Sequence, residues 1–222
     1  MIVAIDGPAG SGKSTAARLL AERLGFFYLD TGALFRALTL AAIRADVDLN
    51  DEKKLATFAK SIKLDFNGKQ TFINGEDVSA DIRSESVTEK VKFLACSPQV
   101  RKVVAGIEKR IAKNKNIVVE GRDSTTVVFP NADVKFYLDA SKKERARRRF
   151  LELRAKGEKI SLEEVEKAIE ERDRSDMERE VAPLRQAEDA IRIDTTELSI
   201  EEVVEKLYKE CQNKECRKVT RL

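Results

Sequence analysis

The chain has 222 residues, with 42 Lys and Arg against 39 Asp and Glu, and it contains no histidine. Its length and hydrophobic content of 42% suit one globular α/β domain, and a net charge of only +3 gives no support for a nucleic-acid partner, so none is expected. No apolar run reaches the ~18 residues of a membrane helix, and the lack of histidine excludes a mechanism that needs an imidazole base near neutral pH.

The first element is a short strand that leads through a glycine-rich loop into a helix. Ile2 to Ile5 is apolar and β-branched, and apolar residues recur at helical spacing from Thr15 to Leu24. The segment between them fits the P-loop pattern G-x-x-x-x-G-K-[ST], in which backbone N–H groups and a helix N-terminus surround phosphates. We predict that Lys13 reaches the β- and γ-phosphates and that the Ser14 hydroxyl holds Mg²⁺. The predicted ATP contacts are Gly7, Pro8, Ala9, Gly10, Ser11, Gly12, Lys13, Ser14 and Thr15.

Four more apolar runs are predicted as parallel strands, and helical stretches separate them. They are residues 26–29, 117–119, 134–138 and 191–193. This alternation indicates a doubly wound α/β fold with a five-stranded parallel sheet flanked by helices. Ligands bind such sheets at the carboxyl ends of the strands, where Asp30, Glu120, Arg122, Asp123 and Asp139 fall.

Residues 62–78 interrupt the alternation. Two Asn-Gly pairs, at 67–68 and 74–75, separate short apolar runs, and Asn-Gly strongly favours tight turns. We predict two or three small antiparallel strands inserted between helices, as a flap over a substrate.

Two charged helices follow the fourth strand. Arg145, Arg148 and Arg149 share one face of the helix from 141 to 156, and Arg172, Asp176 and Arg179 share one face of the helix from 161 to 180. Spacing alone fits equally a pair of solvated helices with ion pairs four residues apart.

The three cysteines, Cys96, Cys211 and Cys216, lack C-x-x-C spacing. We expect reduced thiols and a cytoplasmic protein, and no signal peptide, because a strand begins at once.

A P-loop implies a nucleoside triphosphate donor and leaves the acceptor open. A phosphate acceptor would need several cations around the transferring group and no general base, because it is already ionised. The candidate cations are Arg36, Arg122, Arg145, Arg148, Arg149, Arg172 and Arg179.

Together these segments closely resemble the bacterial cytidylate kinase family over residues 2 to about 207. The resemblance is carried by 7–14, by 29–36 (Leu-Asp-Thr-Gly-Ala-Leu-Phe-Arg), by 74–79 (Asn-Gly-Glu-Asp-Val-Ser) with Ile82-Arg83, by Gly121-Arg122-Asp123 with 126–130 (Thr-Val-Val-Phe-Pro), and by 171–179 with Ala182-Pro183-Leu184.

The resemblance implies a nucleoside monophosphate kinase of pyrimidine metabolism. It would transfer the ATP γ-phosphoryl group to CMP or dCMP, with Mg²⁺, giving ADP and CDP or dCDP. It implies one kinase domain over 1–222, with an inserted monophosphate-binding region at about 35–105 and a helical lid at about 144–158. We expect a monomer whose partners are these nucleotides, and a disordered basic tail at 213–222.

The family pattern also implies residue roles. Thr31, Arg101 and Asp123 would read the cytosine; Arg36, Arg122 and Arg179 would hold the CMP phosphate; Arg172, Asp176 and Lys92 would meet the pentose; and Arg145, Arg148 and Arg149 would form the lid over the ATP phosphates. Catalysis would rest on Lys13, Arg122 and the three lid arginines.

The chain departs from the family pattern in three places. Lys92 stands where a serine is usual, which puts the ribose or deoxyribose preference in doubt. Ser124-Thr125 replaces Ile/Met-Gly, which would change the turn if that glycine has a positive φ. Glu120 stands where an Asp is common.

Structural roles remain open for several of these residues. Asp30 and Thr31 could cap a helix, Arg36 could pair with a carboxylate, Asp123 could support Arg122, and Arg101 could be a solvated helix residue. Two other functions also remain open: a small-metabolite kinase with Asp30 or Asp123 as base, and a GTP-binding module. The GTP-binding hypothesis is weakened because the sequence has no N-K-x-D segment of the kind that recognises guanine.

Overall fold

The computed structural model describes residues 1–155 and 157–219. Among these the strands, in chain order, are β1 (Ile2–Asp6), β2 (Phe27–Asp30), β3 (Leu64–Phe66), β4 (Thr71–Ile73), β5 (Glu76–Asp77), β6 (Ile117–Gly121), β7 (Val134–Asp139) and β8 (Ile191–Asp194). The α-helices are α1 (Lys13–Leu24), α2 (Thr31–Arg44), α3 (Glu52–Ser61), α4 (Glu85–Cys96), α5 (Pro98–Ala112), α6 (Lys142–Ala155), α7 (Leu162–Glu178) and α8 (Ile200–Val219). A short 3₁₀ turn (Asp81–Arg83) and a π-helical turn (Ser124–Val128) complete the set.

Five strands form the main sheet, in the order β2-β6-β1-β7-β8. β1 pairs in parallel with β7, with Val3 opposite Val134, and β7 pairs in parallel with β8, with Leu138 opposite Ile193. All five predicted strands are present within one or two residues of their predicted bounds, and the predicted α/β fold is confirmed. The inner strands are largely apolar because helices cover a parallel sheet on both faces; Phe136, for example, is fully buried.

The chain divides into two compact units. One comprises Met1–Phe26 and the chain from Val118 onward, and therefore holds β1, β7, β8, α1, the last three helices and the whole P-loop. The other comprises Phe27–Ile117 and holds β2, α2 to α5 and the small strands. The predicted inserted region at about 35–105 lies inside this second unit, whose bounds are wider.

The second unit contains the predicted antiparallel strands. They form a three-stranded sheet in the order β3-β4-β5. Asn74 (φ 51°) and Gly75 (φ 91°) join β4 to β5, and two successive left-handed residues are what a type I′ hairpin turn requires. Phe66 of β3 is buried and packs edge-on against Phe27, with ring centroids 6.2 Å apart.

Helix α8 extends past the predicted start of the disordered tail. α8 continues through Val219, so residues 213–219 differ from the predicted disordered tail, and residues 220–222 lie outside the described residues. The helix continues because residues 200–219 include no Gly or Pro and many Lys and Glu, which favour helix. The predicted lid at 144–158 contains most of α6, and Lys156 within it lies outside the described residues. None of the described helices combines the length and apolarity needed to cross a membrane.

Candidate active site

The P-loop lies between the carboxyl end of β1 and the N-terminus of α1, as predicted. Its glycines are required by close packing. A Cβ at Gly7 would lie 2.1 Å from the Leu138 carbonyl oxygen, and one at Gly10, where φ is 75°, would lie 2.8 Å from the Arg145 carbonyl oxygen. The loop backbone is therefore pressed against β7 and α6, and any side chain at these positions would displace it.

Lys13 is buried at the start of α1. Its Nζ donates a hydrogen bond to the Pro8 carbonyl, at 3.0 Å. Burial, followed by repulsion from Arg122, lowers the Lys13 pKa to about 7, and the attraction of Glu120 and Asp176 only partly opposes this. Burial makes the charged form of Lys13 unfavourable, and a bound anion beside the ammonium group would stabilise that charged form.

Ser14 and Glu120 provide a pair of oxygen atoms beside the loop. The Ser14 hydroxyl donates to Glu120 Oε1 at 2.8 Å, and Glu120 lies near the end of β6. One hydroxyl and one carboxylate suit Mg²⁺, which keeps several waters and binds phosphate oxygens. Among the described residues no group of three or more His, Cys, Asp or Glu could hold a metal ion, so a divalent ion here would depend on the nucleotide for further ligands.

Asp176 on α7 collects three of the predicted arginines. Its carboxylate lies 2.8 Å from Arg122 Nε, 3.2 Å from Arg172 Nε and 3.5 Å from Arg179 Nη1. Burial would raise the Asp176 pKa, but the attraction of Arg122 and Arg172 outweighs it and lowers that pKa to about 2. Arg122 also lies near Glu120 and Asp6. Three fixed cations meeting at one carboxylate form an arginine-rich cluster of the kind that suits an anionic ligand.

The loop after α7 supports this cluster. Arg179 Nε donates to the Ala182 carbonyl at 2.7 Å, and Ala182 has a φ of 51°, which is unusual for a residue before proline. The Leu184 amide returns to the Asp176 carbonyl at 2.7 Å. The sequence Ala182-Pro183-Leu184 thus folds back onto the end of α7 and fixes the position of Arg179.

The turn after β6 is organised by Asp6, which the sequence analysis did not single out. Asp6 is fully buried at the end of β1 and accepts hydrogen bonds from the Ser124 amide (3.0 Å), the Thr125 amide (2.7 Å) and the Thr125 hydroxyl (2.6 Å). Burial raises the Asp6 pKa, and the bonds from Thr125 partly oppose this.

Neither Ser124 nor Thr125 has a positive φ, so the replacement of the family's glycine leaves the turn unstrained, and Thr125 adds a hydroxyl bond that glycine lacks. Asp123 directly precedes this turn and is buried.

The α6 arginines have different surroundings. Arg145 is buried and pairs with Asp173, whereas Arg149 pairs with Glu152 nearby on the same helix. Arg148 donates to the Thr195 hydroxyl (3.0 Å) and carbonyl (2.5 Å). Shared helical spacing did not reveal these differences, and the role of the three arginines over ATP stays a prediction.

Asp173 and Thr195 were also missed by the sequence analysis, although each carried a signal. Thr195 follows β8 at the same carboxyl edge as the other predicted residues, and its hydroxyl lies 3.2 Å from the Ser11 carbonyl of the P-loop. Asp173 is the neighbour of Arg172, but one residue further along a helix points about 100° away.

In the second unit, the start of α2 holds Asp30 and Thr31. Asp30 caps the helix by accepting from the Ala33 amide at 2.9 Å, and its other oxygen pairs with Arg83 at 2.8 Å. The capping role that the sequence left open is therefore observed, and Thr31 is buried beside it. A carboxylate with these two partners is poorly suited to act as a general base.

The other predicted residues of the second unit lie on α2, α4 and α5. Arg36 donates to the Thr88 hydroxyl at 2.8 Å. Arg101 is buried rather than solvated, since Nη1 donates to the Ala95 carbonyl at 2.9 Å and its guanidinium lies 5.2 Å from the Phe35 ring centre. Lys92 is exposed on α4, with Nζ 5.6 Å from the centre of the neighbouring Phe93 ring.

Known proteins with similar sequences cover most of this chain. The family model described as cytidylate kinase matches residues 3–213. The chain is 50% identical over 209 residues to a cytidylate kinase of Geobacillus sp. (strain WCH70), covering 92% of this chain and 93% of the relative. It is 47% identical over 206 residues to a cytidylate kinase of Caldanaerobacter subterraneus subsp. tengcongensis, covering 93% and 92%. It is 46% identical over 211 residues to a cytidylate kinase of Geobacter sulfurreducens, covering 93% and 91%. Matches of this identity and extent show that the chain belongs to the cytidylate kinase family of nucleoside monophosphate kinases.

Proposed function

We propose that the protein catalyses the ATP- and Mg²⁺-dependent phosphorylation of CMP, and of dCMP, to CDP or dCDP. The observation that supports this most directly is the pairing, within one compact unit, of a P-loop with the arginine cluster at Asp176. The P-loop suits a triphosphate donor, and the three arginine guanidinium groups of the cluster suit a phosphate acceptor.

The chemistry needs positioning and charge rather than a base. A CMP phosphate oxygen attacks the γ-phosphorus of ATP, the bond from the γ-phosphorus to the β,γ-bridging oxygen breaks, and ADP leaves. The acceptor oxygen is already ionised, so no proton has to be removed. Lys13, Arg122, Arg145, Arg148 and Arg149 are our candidates for neutralising the charge that the two approaching phosphates bring together.

The Ser14 hydroxyl and Glu120 carboxylate are the groups we propose for Mg²⁺. When bound, the ion offsets charge on the β- and γ-phosphate oxygens. Among the protein groups, the P-loop amides would orient these phosphates, and Lys13 would exchange its Pro8 carbonyl partner for a phosphate oxygen.

The acceptor residues are proposed from the family pattern. Asp123, Thr31 and Arg101 would recognise cytosine. A carboxylate accepts from the exocyclic amine of cytosine, whereas uracil would present a carbonyl oxygen to it, a mismatch that costs a few kcal/mol.

The remaining acceptor contacts would bind the phosphate and the sugar. Arg36, Arg122 and Arg179 would hold the CMP phosphate, and Arg172 and Asp176 would meet the pentose together with Lys92. We further propose a monomer that works in the cytoplasm with nucleotides as its partners, consistent with the near-neutral net charge.

An acceptor panel tests the proposal. Purified protein with ATP and Mg²⁺ is assayed with CMP, dCMP, UMP, AMP and GMP. We expect strong turnover with CMP, weaker turnover with UMP and negligible turnover with AMP or GMP. Preference for AMP over CMP would refute the assignment, and substantial ATP hydrolysis without an acceptor would count against shielding of the donor from water.

A further inference from the structure

The peptide group between Pro8 and Ala9 in the P-loop is held from both sides. Its carbonyl, on Pro8, accepts from Lys13 Nζ at 3.0 Å. Its N–H, on Ala9, donates to Asp173 Oδ1 at 3.3 Å, although Asp173 lies 164 residues further along the chain. This one peptide group therefore bridges the Lys13 ammonium group and the Asp173 carboxylate on α7.

Asp173 is fixed by a second set of contacts. Its other oxygen, Oδ2, accepts from Arg145 Nη1 at 2.5 Å, and both side chains are buried. The same Nη1 lies 3.0 Å from the Ala9 carbonyl, and Arg145 Nε donates to the Ala140 carbonyl at 3.0 Å. The buried ion pair thus grips two successive peptide groups of the loop, one at its N–H and the next at its carbonyl.

These contacts determine which way the loop peptides point. A P-loop binds phosphate because its amides face inward, and a peptide without partners can rotate and present its carbonyl to the anion. Arg145 holds the Ala9 carbonyl, so the N–H of the same trans peptide, on Gly10, points away from Arg145 and stays available to an anion. Asp173 holds the Ala9 N–H, which is therefore not offered to the phosphates, and this keeps the Pro8 carbonyl directed at Lys13. A carboxylate acceptor makes a stronger bond than a neutral one, and Arg145 keeps that carboxylate in place.

We propose that Asp173, together with Arg145, is a positioning residue for binding of the phosphate donor. The pair fixes the orientation of the P-loop peptides and the position of Lys13, and it does not contact the acceptor. The inference rests on the proposed function in taking MgATP as the donor. It also gives two roles to α7: Arg172 and Asp176 belong to the arginine cluster, while Asp173 contacts the donor loop.

The test compares two carboxylates of α7 that both pair with cations of α6. Asp173→Asn keeps the shape but removes the charge that Ala9 and Arg145 share. Glu170→Gln is the matched control, because Glu170 pairs with Lys142 at 2.7 Å, is exposed and contacts no loop residue in the hydrogen bonds of the described structure. Calorimetry measures the Kd of MgATP without CMP and the Kd of CMP without ATP, and thermal melting monitors folding.

We expect Asp173→Asn to weaken MgATP binding about tenfold, as for loss of a charged hydrogen-bond partner, and to leave CMP binding within about threefold. Glu170→Gln is expected to change both constants less than about twofold. An unchanged MgATP constant in folded Asp173→Asn overturns the proposal, and so does an equal loss for ATP and CMP, which would indicate general disruption of α7.

If Asp173→Asn does not fold, Arg145→Lys decides the question. It keeps a cation beside Asp173 but loses the planar fork that reaches both Ala9 and Ala140, so MgATP binding should again weaken about tenfold. Wild-type affinity in Arg145→Lys, or failure of both variants to fold, overturns the positioning role. Absence of CMP turnover in the wild-type panel would defeat the proposed function separately, because these binding constants are measured without turnover.

Discussion

Binding of MgATP should become weaker as the pH rises above 7, because Lys13 loses its proton in the free protein. Burial and the neighbouring Arg122 lower its pKa to about 7, so half of the molecules carry a neutral amine at that pH. A bound triphosphate brings anionic oxygens to the ammonium group and restores its high pKa. Binding therefore takes up a proton, and the affinity falls as protons become scarce.

The size of the effect follows from this pKa. The competent fraction of free protein is about one half at pH 7 and about one hundredth at pH 9, so the Kd for MgATP should rise roughly 50-fold over that range. Above pH 7 the nucleotide itself is fully ionised and contributes little. Glu120, Asp176 and Arg172 also face Lys13. Asp176, whose pKa is about 2, stays ionised throughout this range.

Calorimetry in two buffers of different ionisation enthalpy measures both the affinity and the proton uptake. We expect about half a proton taken up at pH 7 and close to one at pH 9. Lys13→Arg is the control, because a guanidinium keeps its charge to above pH 12 and should give a flat profile. A flat profile in the wild-type protein, or the same slope in Lys13→Arg, would show that Lys13 is not the titrating group.

Three further changes have defined outcomes. Asp176→Asn should lower the free energy of unfolding by about 3 kcal/mol in urea denaturation, because three buried or half-buried arginines lose their shared carboxylate. In the wild type the Asp176 pKa is lowered from 3.8 to about 2, so this stabilisation is full above pH 4 and disappears only as the pH falls through 2. Loss of the stabilisation near pH 5 would contradict the assignment. Thr125→Gly should cost about 1–3 kcal/mol by removing the hydroxyl bond to buried Asp6, and Thr125→Ser, which keeps it, should cost less; equal costs would mean that the hydroxyl contributes nothing. Asp123→Asn should reduce kcat/KM for CMP more than for UMP, and equal losses would indicate a purely structural Asp123.

The features that the sequence predicted well depend on neighbours along the chain. The P-loop is specified by eight consecutive residues between a strand and a helix, and the hairpin at Asn74 and Gly75 by two residues that tolerate a left-handed backbone. The inner parallel strands were recognisable because both of their faces are buried, which makes their sequences largely apolar. Asp30 was recognisable as a helix cap for the same local reason.

What the sequence left open depends on residues that are distant in the chain. Helical spacing shows that Arg145, Arg148 and Arg149 share a face, but not that Arg145 is buried against Asp173 while Arg149 stays on its own helix. The sequence left open whether replacing glycine at Thr125 changes the turn. The structure shows that Thr125 has no positive φ and that its amide and hydroxyl bind Asp6, 119 residues away. The sequence by itself therefore determined the sheet, the loop and the family, since these are written in short contiguous patterns. Only the tertiary structure decided which carboxylate orients which cation, because such pairs are set by packing between segments far apart in the chain.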